Sequence, residues 1–198
     1  MIINHKHKFV FIHIPKAGGT SISNYCEEKI EGSLRNYLNN DKIEEINPHI
    51  YASDLMCKFD YSNYNSFTVV RNPFDLVVSQ YFWSIQNNLP LFPDVSDSID
   101  YSFEDFVKLV IQPNAIRQPM MEFITDEHGK FLIKNFIRFE NMENDLREYF
   151  NIIDLNLEYL GHHNKSLHVE YKEYYNEETY TLINNYFSED IKTFNYKF

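Results

Sequence analysis

The sequence is poor in cysteine, in positive charge and in long apolar runs. Its two cysteines, Cys26 and Cys57, are too few for a disulfide scaffold, so we expect reduced thiols. With 18 Lys and Arg against 29 Asp and Glu, the net charge of −11 disfavours nucleic acid and anionic membranes as partners. No segment approaches the roughly 20 apolar residues of a membrane span, and residues 1–8 lack the apolar core of a signal peptide. These absences predict a cytoplasmic protein without an integral membrane segment.

Glycine and proline are also scarce, and neither is concentrated in a linker. The five glycines and seven prolines are spread at turns, and no internal repeat occurs. A chain of 198 residues with 43% hydrophobic and 17% aromatic content can bury a single large core. We therefore predict one domain over residues 1–198.

Two strand–loop–helix units stand in the first half of the chain. Residues 8–14 and 66–71 are short apolar runs typical of buried strands, and each precedes a helical pattern. The first helix is predicted over residues 20–30, and the second begins at Asn72 and Pro73, which suit a helix cap and first turn. Such units predict an α/β, P-loop-like fold: a mainly parallel sheet flanked by helices, with ligands at the carboxyl ends of the strands.

The rest of the chain gives weaker signals. Residues 89–101 contain two prolines and three aspartates and predict a surface loop, and whether it closes over substrate stays open. Further predicted elements are a short helix at 52–59, a helix at 102–111, a hairpin turn at 126–129, a strand ending at 139, a helix at 140–150 and helices from 176 onward. The aromatic residues of this last part are predicted to pack in a core.

The segment PKAGGTS, between the first strand and the first helix, has the composition of an anion-binding loop. A helix N-terminus presents unpaired backbone N–H groups, and glycines let the backbone approach the anion. Lys16 adds a full charge, and Thr20 and Ser21 add hydroxyl donors. The pattern differs from a Walker loop because its lysine precedes the glycines. The residues predicted to bind phosphate or sulfate are Lys16, Ala17, Gly18, Gly19, Thr20 and Ser21.

A second anion site is predicted at the end of the second strand. Arg71 ends that strand, and Ser79 lies eight residues further on, about two turns into the following helix. Two anion sites at neighbouring strand ends fit a nucleotide that carries phosphate at both ends. A helix cap alone would explain the first loop, but it does not explain the second site.

These two motifs, in this order, resemble those of the sulfotransferases that use 3′-phosphoadenosine 5′-phosphosulfate (PAPS), most closely the carbohydrate-type branch. The motifs are PKAGGTS at 15–21 and RNPFDLVVSQY at 71–81, with further likeness in PHIYASDL at 48–55 and IRFENMENDL at 137–146. The resemblance implies that the first loop holds the 5′-phosphosulfate, and that Arg71 and Ser79 hold the 3′-phosphate. It also implies transfer of a sulfuryl group to a hydroxyl of a sugar or glycan precursor, leaving adenosine 3′,5′-bisphosphate (PAP).

The catalytic residues predicted for this chemistry are Lys16 and His49. Lys16 is expected to neutralise charge on the leaving phosphate, where positioning and electrostatics dominate catalysis. The acceptor hydroxyl needs a base, and histidine suits that role near neutral pH. His49 lies 22 residues before Arg71, where glycan sulfotransferases that the chain resembles place a catalytic histidine. A glutamate or aspartate as the base stays open.

The acceptor is the least defined part of the prediction. The residues predicted to bind the acceptor are His13, Arg117, Gln118, Asn164, Lys165 and Ser166. A structural role beside the site stays open for His13, and contact with the cofactor stays open for Asn164, Lys165 and Ser166. A glycan, a lipid-linked sugar, a small metabolite and an amine all stay open as acceptors. No metal is expected, because His162, His163 and His168 are irregularly spaced and lack a partner cluster.

Two other functions stay open at this point. A P-loop-type kinase would need a magnesium-binding carboxylate after the second strand, but Arg71 occupies that position. A noncatalytic nucleotide- or glycan-binding module would keep the pocket without turnover. Such a module would take up the cofactor and never release a sulfated product.

Overall fold

A computed structural model describes residues 1–35, 47–89, 101–112, 118–161 and 169–198, and the backbone alone of 37–39 and 42–44. The chain divides into two units. The first comprises Met1–Arg71 and Met120–Asn164, and the second comprises Asn72–Pro119 and Lys165–Phe198. The prediction of one domain over the whole chain stays a prediction.

The first unit contains the β-sheet. Its strands are β1 (Ile2–Asn4), β2 (Phe9–Ile12), β3 (Ser33–Leu34), β4 (Tyr37–Asn39), β5 (Lys42–Glu44), β6 (Asn65–Val70) and β7 (Asn135–Arg138). Five of them form one sheet in the order β3-β1-β2-β6-β7, and β4 and β5 form a separate antiparallel pair. Strands β2, β6 and β7 are parallel, whereas β1 is antiparallel to both β2 and β3. The parallel strands therefore all end at the same edge of the sheet.

The helices follow the predicted order along the chain. They are α1 (Gly19–Lys29), α2 (Ala52–Lys58), α3 (Pro73–Gln86), α4 (Phe103–Val110), α5 (Met120–Ile124), α6 (Met142–Ile152), α7 (Glu177–Tyr186) and α8 (Ser188–Thr193), with 3-10 helices at Phe139–Asn141 and Tyr171–Tyr174. The predicted α/β fold, with a mainly parallel sheet centre flanked by helices, is confirmed. The short strands β1 and β3 and the five-residue helix α5 were not among the predicted elements.

Aromatic side chains fill the core of the first unit. Phe9, Phe11 and Phe67 are fully buried, and the rings of Phe11 and Phe67 stack with centroids 5.0 Å apart across the β2–β6 pair. Phe150 of α6 packs edge-on against Phe67 at 6.2 Å. A parallel strand buried on both faces reads as a continuous apolar run, which explains why residues 9–12 show no alternation.

In the second unit, side-chain caps and aromatic packing hold the helices. The Asn72 side chain accepts from the Phe74 amide at 3.1 Å, so the predicted cap of α3 is confirmed. Ser102 and Asp105 form a capping box at α4. The rings of Phe74 and Tyr180 stack at 5.4 Å, and Phe198 packs edge-on against Phe74 at 4.9 Å. The C-terminal aromatics Tyr180 and Phe198 therefore pack against the buried Phe74, but they stay partly exposed themselves.

Three smaller predictions can also be compared with the structure. The hairpin turn at 126–129 is present, closed by an Asp126 amide that donates to the Lys130 carbonyl at 2.9 Å. Cys26 and Cys57 are both free thiols. Residues 90–100 of the predicted loop lie outside the described residues. Among the helices that the structure describes, none is long and apolar enough to cross a membrane.

Candidate active site

The loop from Pro15 to Gly18 joins β2 to α1 at the edge where the parallel strands end. Its backbone turns twice through the left-handed region, at Lys16 with φ 61° and at Gly18 with φ 80°. The Ala17 amide donates to the Ile14 carbonyl at 3.3 Å and closes the first turn. A positive φ is unusual for lysine, so the loop imposes this conformation on Lys16.

The N-terminus of α1 has no side-chain cap. Its N-cap residue is Gly18, which has no side chain to accept from the first-turn amides. Ordinary helices fill this position with Ser, Thr, Asp or Asn, whose oxygen satisfies one of those amides. The first turn of α1, which begins with Gly19 and Thr20, therefore presents backbone N–H groups and the positive end of the helix dipole to an external anion.

Gly18 is required here for two reasons. Its backbone conformation disfavours any residue with a Cβ. A Cβ at this position would also lie 2.9 Å from the Phe139 ring and 3.2 Å from the Met142 sulfur. Phe139, in the 3-10 helix after β7, therefore packs against the loop at Gly18. Sequence analysis did not identify this residue, because nothing in the local pattern around it indicates a contact 121 positions away.

Arg71 joins the end of β6 to the same loop. Its side chain is buried, and its Nη1 donates to the Lys16 carbonyl at 2.7 Å. Its guanidinium also lies over the Phe139 ring, 4.0 Å from the centroid. The predicted proximity of Arg71 and the PKAGGTS loop is therefore present in the structure. Arg71 thus donates to the carbonyl of Lys16, the residue with the positive φ.

The two histidines predicted near the site contact each other. His49 Nδ1 lies 3.0 Å from the His13 carbonyl oxygen, and the two rings meet edge-on with centroids 4.5 Å apart. A carbonyl oxygen can only accept, so Nδ1 of His49 carries the proton. In the neutral ring, Nε2 of His49 is then the basic nitrogen.

His13 itself is unsuited to act as a base. The pKa of His13 is lowered to about 2, first by burial and then by the nearby N-terminal amino group, His49 and Arg35. Its ring lies against the start of α1: a Cβ at Gly19 would be 2.2 Å from its Cδ2. His13 therefore stays neutral and packs between the loop and His49.

Glu122 is a carboxyl group that sequence analysis missed. It lies on α5, where its neighbour Phe123 stacks on Tyr51 with centroids 4.6 Å apart. Partial burial raises the pKa of Glu122. The pKa of Tyr51 is also raised, first by burial and then by the charge of Glu122. Because Tyr51 follows His49 by two residues, Glu122 is the carboxyl alternative to be tested as the base.

The remaining predicted site residues lie either in the second unit or outside the described residues. Ser79 is buried on α3 of the second unit, and Gln118 is half-buried in the same unit. Four of the predicted acceptor residues lie outside the described residues: Arg117, Asn164, Lys165 and Ser166. Within the described ranges, no group of three His, Cys, Asp or Glu side chains could hold a metal ion.

Comparison with known proteins decides the family. A model of the sulfotransferase family matches residues 1–197. The chain belongs to the sulfotransferase family. The predicted enzyme class, a PAPS-dependent sulfotransferase, is confirmed by this membership.

Solved structures agree on the fold of this sulfotransferase. Nine chains match it significantly. One is the crystal structure of mouse sulfotransferase SULT7A1 complexed with PAP, with a TM-score of 0.61 and 12% identity over 96% of this chain and 86% of that chain. No curated protein sequence shows significant similarity to the chain.

Substitution of Gly19 is expected to reveal its contact with His13. Gly19→Ala should lower the free energy of unfolding by about 1–3 kcal/mol, because the added methyl overlaps the His13 ring. In a His13→Ala background the ring atoms are gone, and the same change should cost less than about 0.5 kcal/mol. Urea titrations of the four proteins measure this coupling. An equal cost of Gly19→Ala in both backgrounds would contradict the contact.

The buried His13 also predicts how stability depends on pH. The unfolded imidazole takes up a proton below its usual pKa of 6.5, whereas the folded one stays neutral down to about 2. Stability due to His13 is therefore complete above pH 6.5 and falls at lower pH, by up to about 1.4 kcal/mol per pH unit. Urea unfolding of wild type and His13→Leu between about pH 5 and 7.5 tests this. His13→Leu should show the shallower slope, and equal slopes would argue against a neutral His13.

Proposed function

We propose that this chain transfers a sulfuryl group from PAPS to a hydroxyl of a sugar or glycan precursor and releases PAP. The observation that carries the proposal is the loop at the start of α1. There an uncapped helix N-terminus, Lys16 and the buried Arg71 belong to one cluster, with Arg71 donating to the Lys16 carbonyl at 2.7 Å. Such a cluster of N–H groups and two cations suits a doubly phosphorylated nucleotide.

The loop residues are proposed to bind the 5′-phosphosulfate. In the reaction, the bond between sulfur and the 5′-phosphate oxygen breaks as sulfur bonds to the acceptor oxygen. Lys16 neutralises the charge that develops on the leaving phosphate, while the amides of Gly18, Gly19 and Thr20 and the hydroxyls of Thr20 and Ser21 bind its other oxygens. The left-handed turn at Lys16, fixed by Arg71, orients this part of the loop before ligand binds.

Arg71 is proposed to bind the 3′-phosphate, with Ser79 as a second ligand of that phosphate. A guanidinium carries several N–H donors, so it can donate to the Lys16 carbonyl and to a phosphate together. Stacking on the Phe139 ring fixes the orientation of the Arg71 guanidinium.

His49 is proposed to remove the proton from the acceptor hydroxyl through Nε2. The hydrogen bond from Nδ1 to the His13 carbonyl supports this, because it keeps the proton on Nδ1. The alternative base, Glu122, is tested in the Discussion.

A neutral sugar or glycan precursor is the proposed acceptor. The net charge of −11 disfavours a heavily sulfated polymer, which would need a long basic groove. His13, Arg117, Gln118, Asn164, Lys165 and Ser166 stay predicted acceptor residues, and the cytoplasm stays the predicted location.

Transfer from radiolabelled PAPS tests the proposal. The purified chain would be incubated with PAPS and separate panels of neutral sugars, lipid-linked sugars, phenols and amines, and products followed by label and by mass. Label on a sugar hydroxyl supports the proposal. Label on amines alone would refute the acceptor class, and PAP binding without transfer to any panel would identify a binding module. Phosphate transfer from ATP with magnesium would identify a kinase.

Replacement of Arg71 is expected to weaken cofactor binding. Arg71→Ala should raise the Kd for PAP by roughly 10- to 100-fold, because a charge-assisted hydrogen bond to phosphate and the bond to the loop are lost together. Arg71→Lys should recover only part of the loss, since lysine cannot reproduce the planar fork. Calorimetric titration measures both variants, with thermal unfolding as the control for folding. If Arg71→Ala bound PAP with the wild-type Kd, Arg71 would not be a ligand of the cofactor.

A further inference from the structure

We infer that His13 is a positioning residue that fixes the base His49 against the loop at the start of α1. The inference rests on the proposed function, because it assigns a role in the reaction proposed for His49. His13 would act without touching the reacting atoms.

The backbone of His13 sets the protonation of His49. Its carbonyl oxygen, 3.0 Å from His49 Nδ1, can only accept a hydrogen bond. This contact selects the tautomer in which Nδ1 carries the proton and Nε2 is basic. Since His13 follows β2 directly, this carbonyl is held by a strand buried in the parallel centre of the sheet.

The ring of His13 contacts both the ring of His49 and the start of α1. It meets the His49 ring edge-on at 4.5 Å and fills the space above Gly19, where a Cβ would come within 2.2 Å of it. It is held from behind by Phe11, whose ring stacks on it at 5.8 Å with an interplanar angle of 21°. A single buried ring thus separates the base from the first residue of α1. This arrangement sets the spacing between them.

The lack of charge on His13 suits this role. Among the described residues, the titratable or charged groups that face it are the N-terminal amino group, His49 and Arg35, and burial keeps His13 neutral. A charged His13 ring would oppose protonation of His49, whereas a neutral ring does not. His13 therefore supports the base without competing for the proton.

Loss of the ring should lower turnover without weakening cofactor binding. In His13→Leu the carbonyl that accepts from His49 remains, but the edge-on ring contact and the spacing are lost. A shift of the base by about an ångström typically lowers kcat by ~10- to 100-fold. The Kd for PAP should stay within about twofold, because Lys16 and Arg71 are unchanged. His13→Phe, which keeps an aromatic ring, should recover most of kcat.

The decisive test combines kinetics with the protonation of His49. In wild type, ¹⁵N NMR of the His49 ring should show Nδ1 protonated at neutral pH, and the acidic limb of the kcat/KM profile should shift in His13→Leu but not in His13→Phe. A proton on Nε2 in wild type, or a His13→Leu enzyme with wild-type kcat and pH profile, would overturn the inference. A wild-type protein that transfers no sulfuryl group would instead refute the proposed function, while the NMR result would still test the tautomer. Circular dichroism controls for folding, and if His13→Leu does not fold, His13→Asn takes its place in the same measurements.

Discussion

Replacing His49 with glutamine is expected to lower kcat by roughly 10²- to 10⁴-fold, which is the usual contribution of a general base. Glutamine is a polar side chain of similar size, but it has no basic nitrogen for the acceptor proton. The Kd for PAP should change by less than about twofold, because His49 is not among the proposed cofactor ligands. Single-turnover transfer from PAPS and calorimetric titration with PAP separate these two quantities.

Glu122→Gln serves as the matched test of the other base. It removes the carboxyl group on α5 while keeping the size of the side chain. If His49 is the base, Glu122→Gln should retain kcat within a few-fold. A large loss in Glu122→Gln together with near-normal turnover in His49→Gln would assign the base to the carboxyl group and contradict the role given to His49.

Replacing Lys16 with alanine is expected to lower kcat by roughly 10²- to 10³-fold. The lysine side chain is the charged group of the loop, and the proposed leaving group gains negative charge only as the bond to sulfur breaks. Its effect should therefore fall more on kcat than on the KM for acceptor. Steady-state measurement of PAP release at saturating PAPS and acceptor would give kcat for each variant.

Lys6→Ala is a suitable control for the loss of charge. Lys6 lies in the turn between β1 and β2, at the end of β2 opposite to Lys16, and forms an exposed ion pair with Glu31. Lys6→Ala changes the net charge by the same amount as Lys16→Ala, so equal losses of kcat in the two variants would indicate a general electrostatic effect. Lys16→Arg keeps the charge and should retain more activity than Lys16→Ala. An unchanged kcat in Lys16→Ala would contradict the role of Lys16.

The parts of the fold set by local sequence were predictable. The apolar runs before Pro15 and Arg71, and the cap and proline at Asn72 and Pro73, each act within a few residues. The strands β1 and β3 have three and two residues, too few for a periodic pattern, and they form only because partners pair with them. Short strands of this kind depend on tertiary context.

The same division holds for the site. The loop was predictable from its motif, and Arg71 was predictable from its position at the end of a strand. The structure shows that Arg71 contacts the loop. The support that Phe139 gives to Gly18 and Arg71 was not predictable, because it joins residues far apart in sequence through packing alone. The contact between His13 and His49 likewise spans 36 positions and depends on how the chain after β5 returns to the end of β2.

The measurement that tests the central claim most directly is calorimetric titration of the purified chain with PAP and, separately, with ATP and magnesium. We expect PAP to bind with a Kd in the micromolar range, Lys6→Ala to bind it equally well, and both Lys16→Ala and Arg71→Ala to bind it more weakly. ATP should bind far more weakly than PAP, because it lacks the 3′-phosphate proposed to contact Arg71. Tight binding of magnesium ATP, or no binding of PAP to the wild-type chain, would contradict the assignment of the loop and Arg71 as the PAPS site.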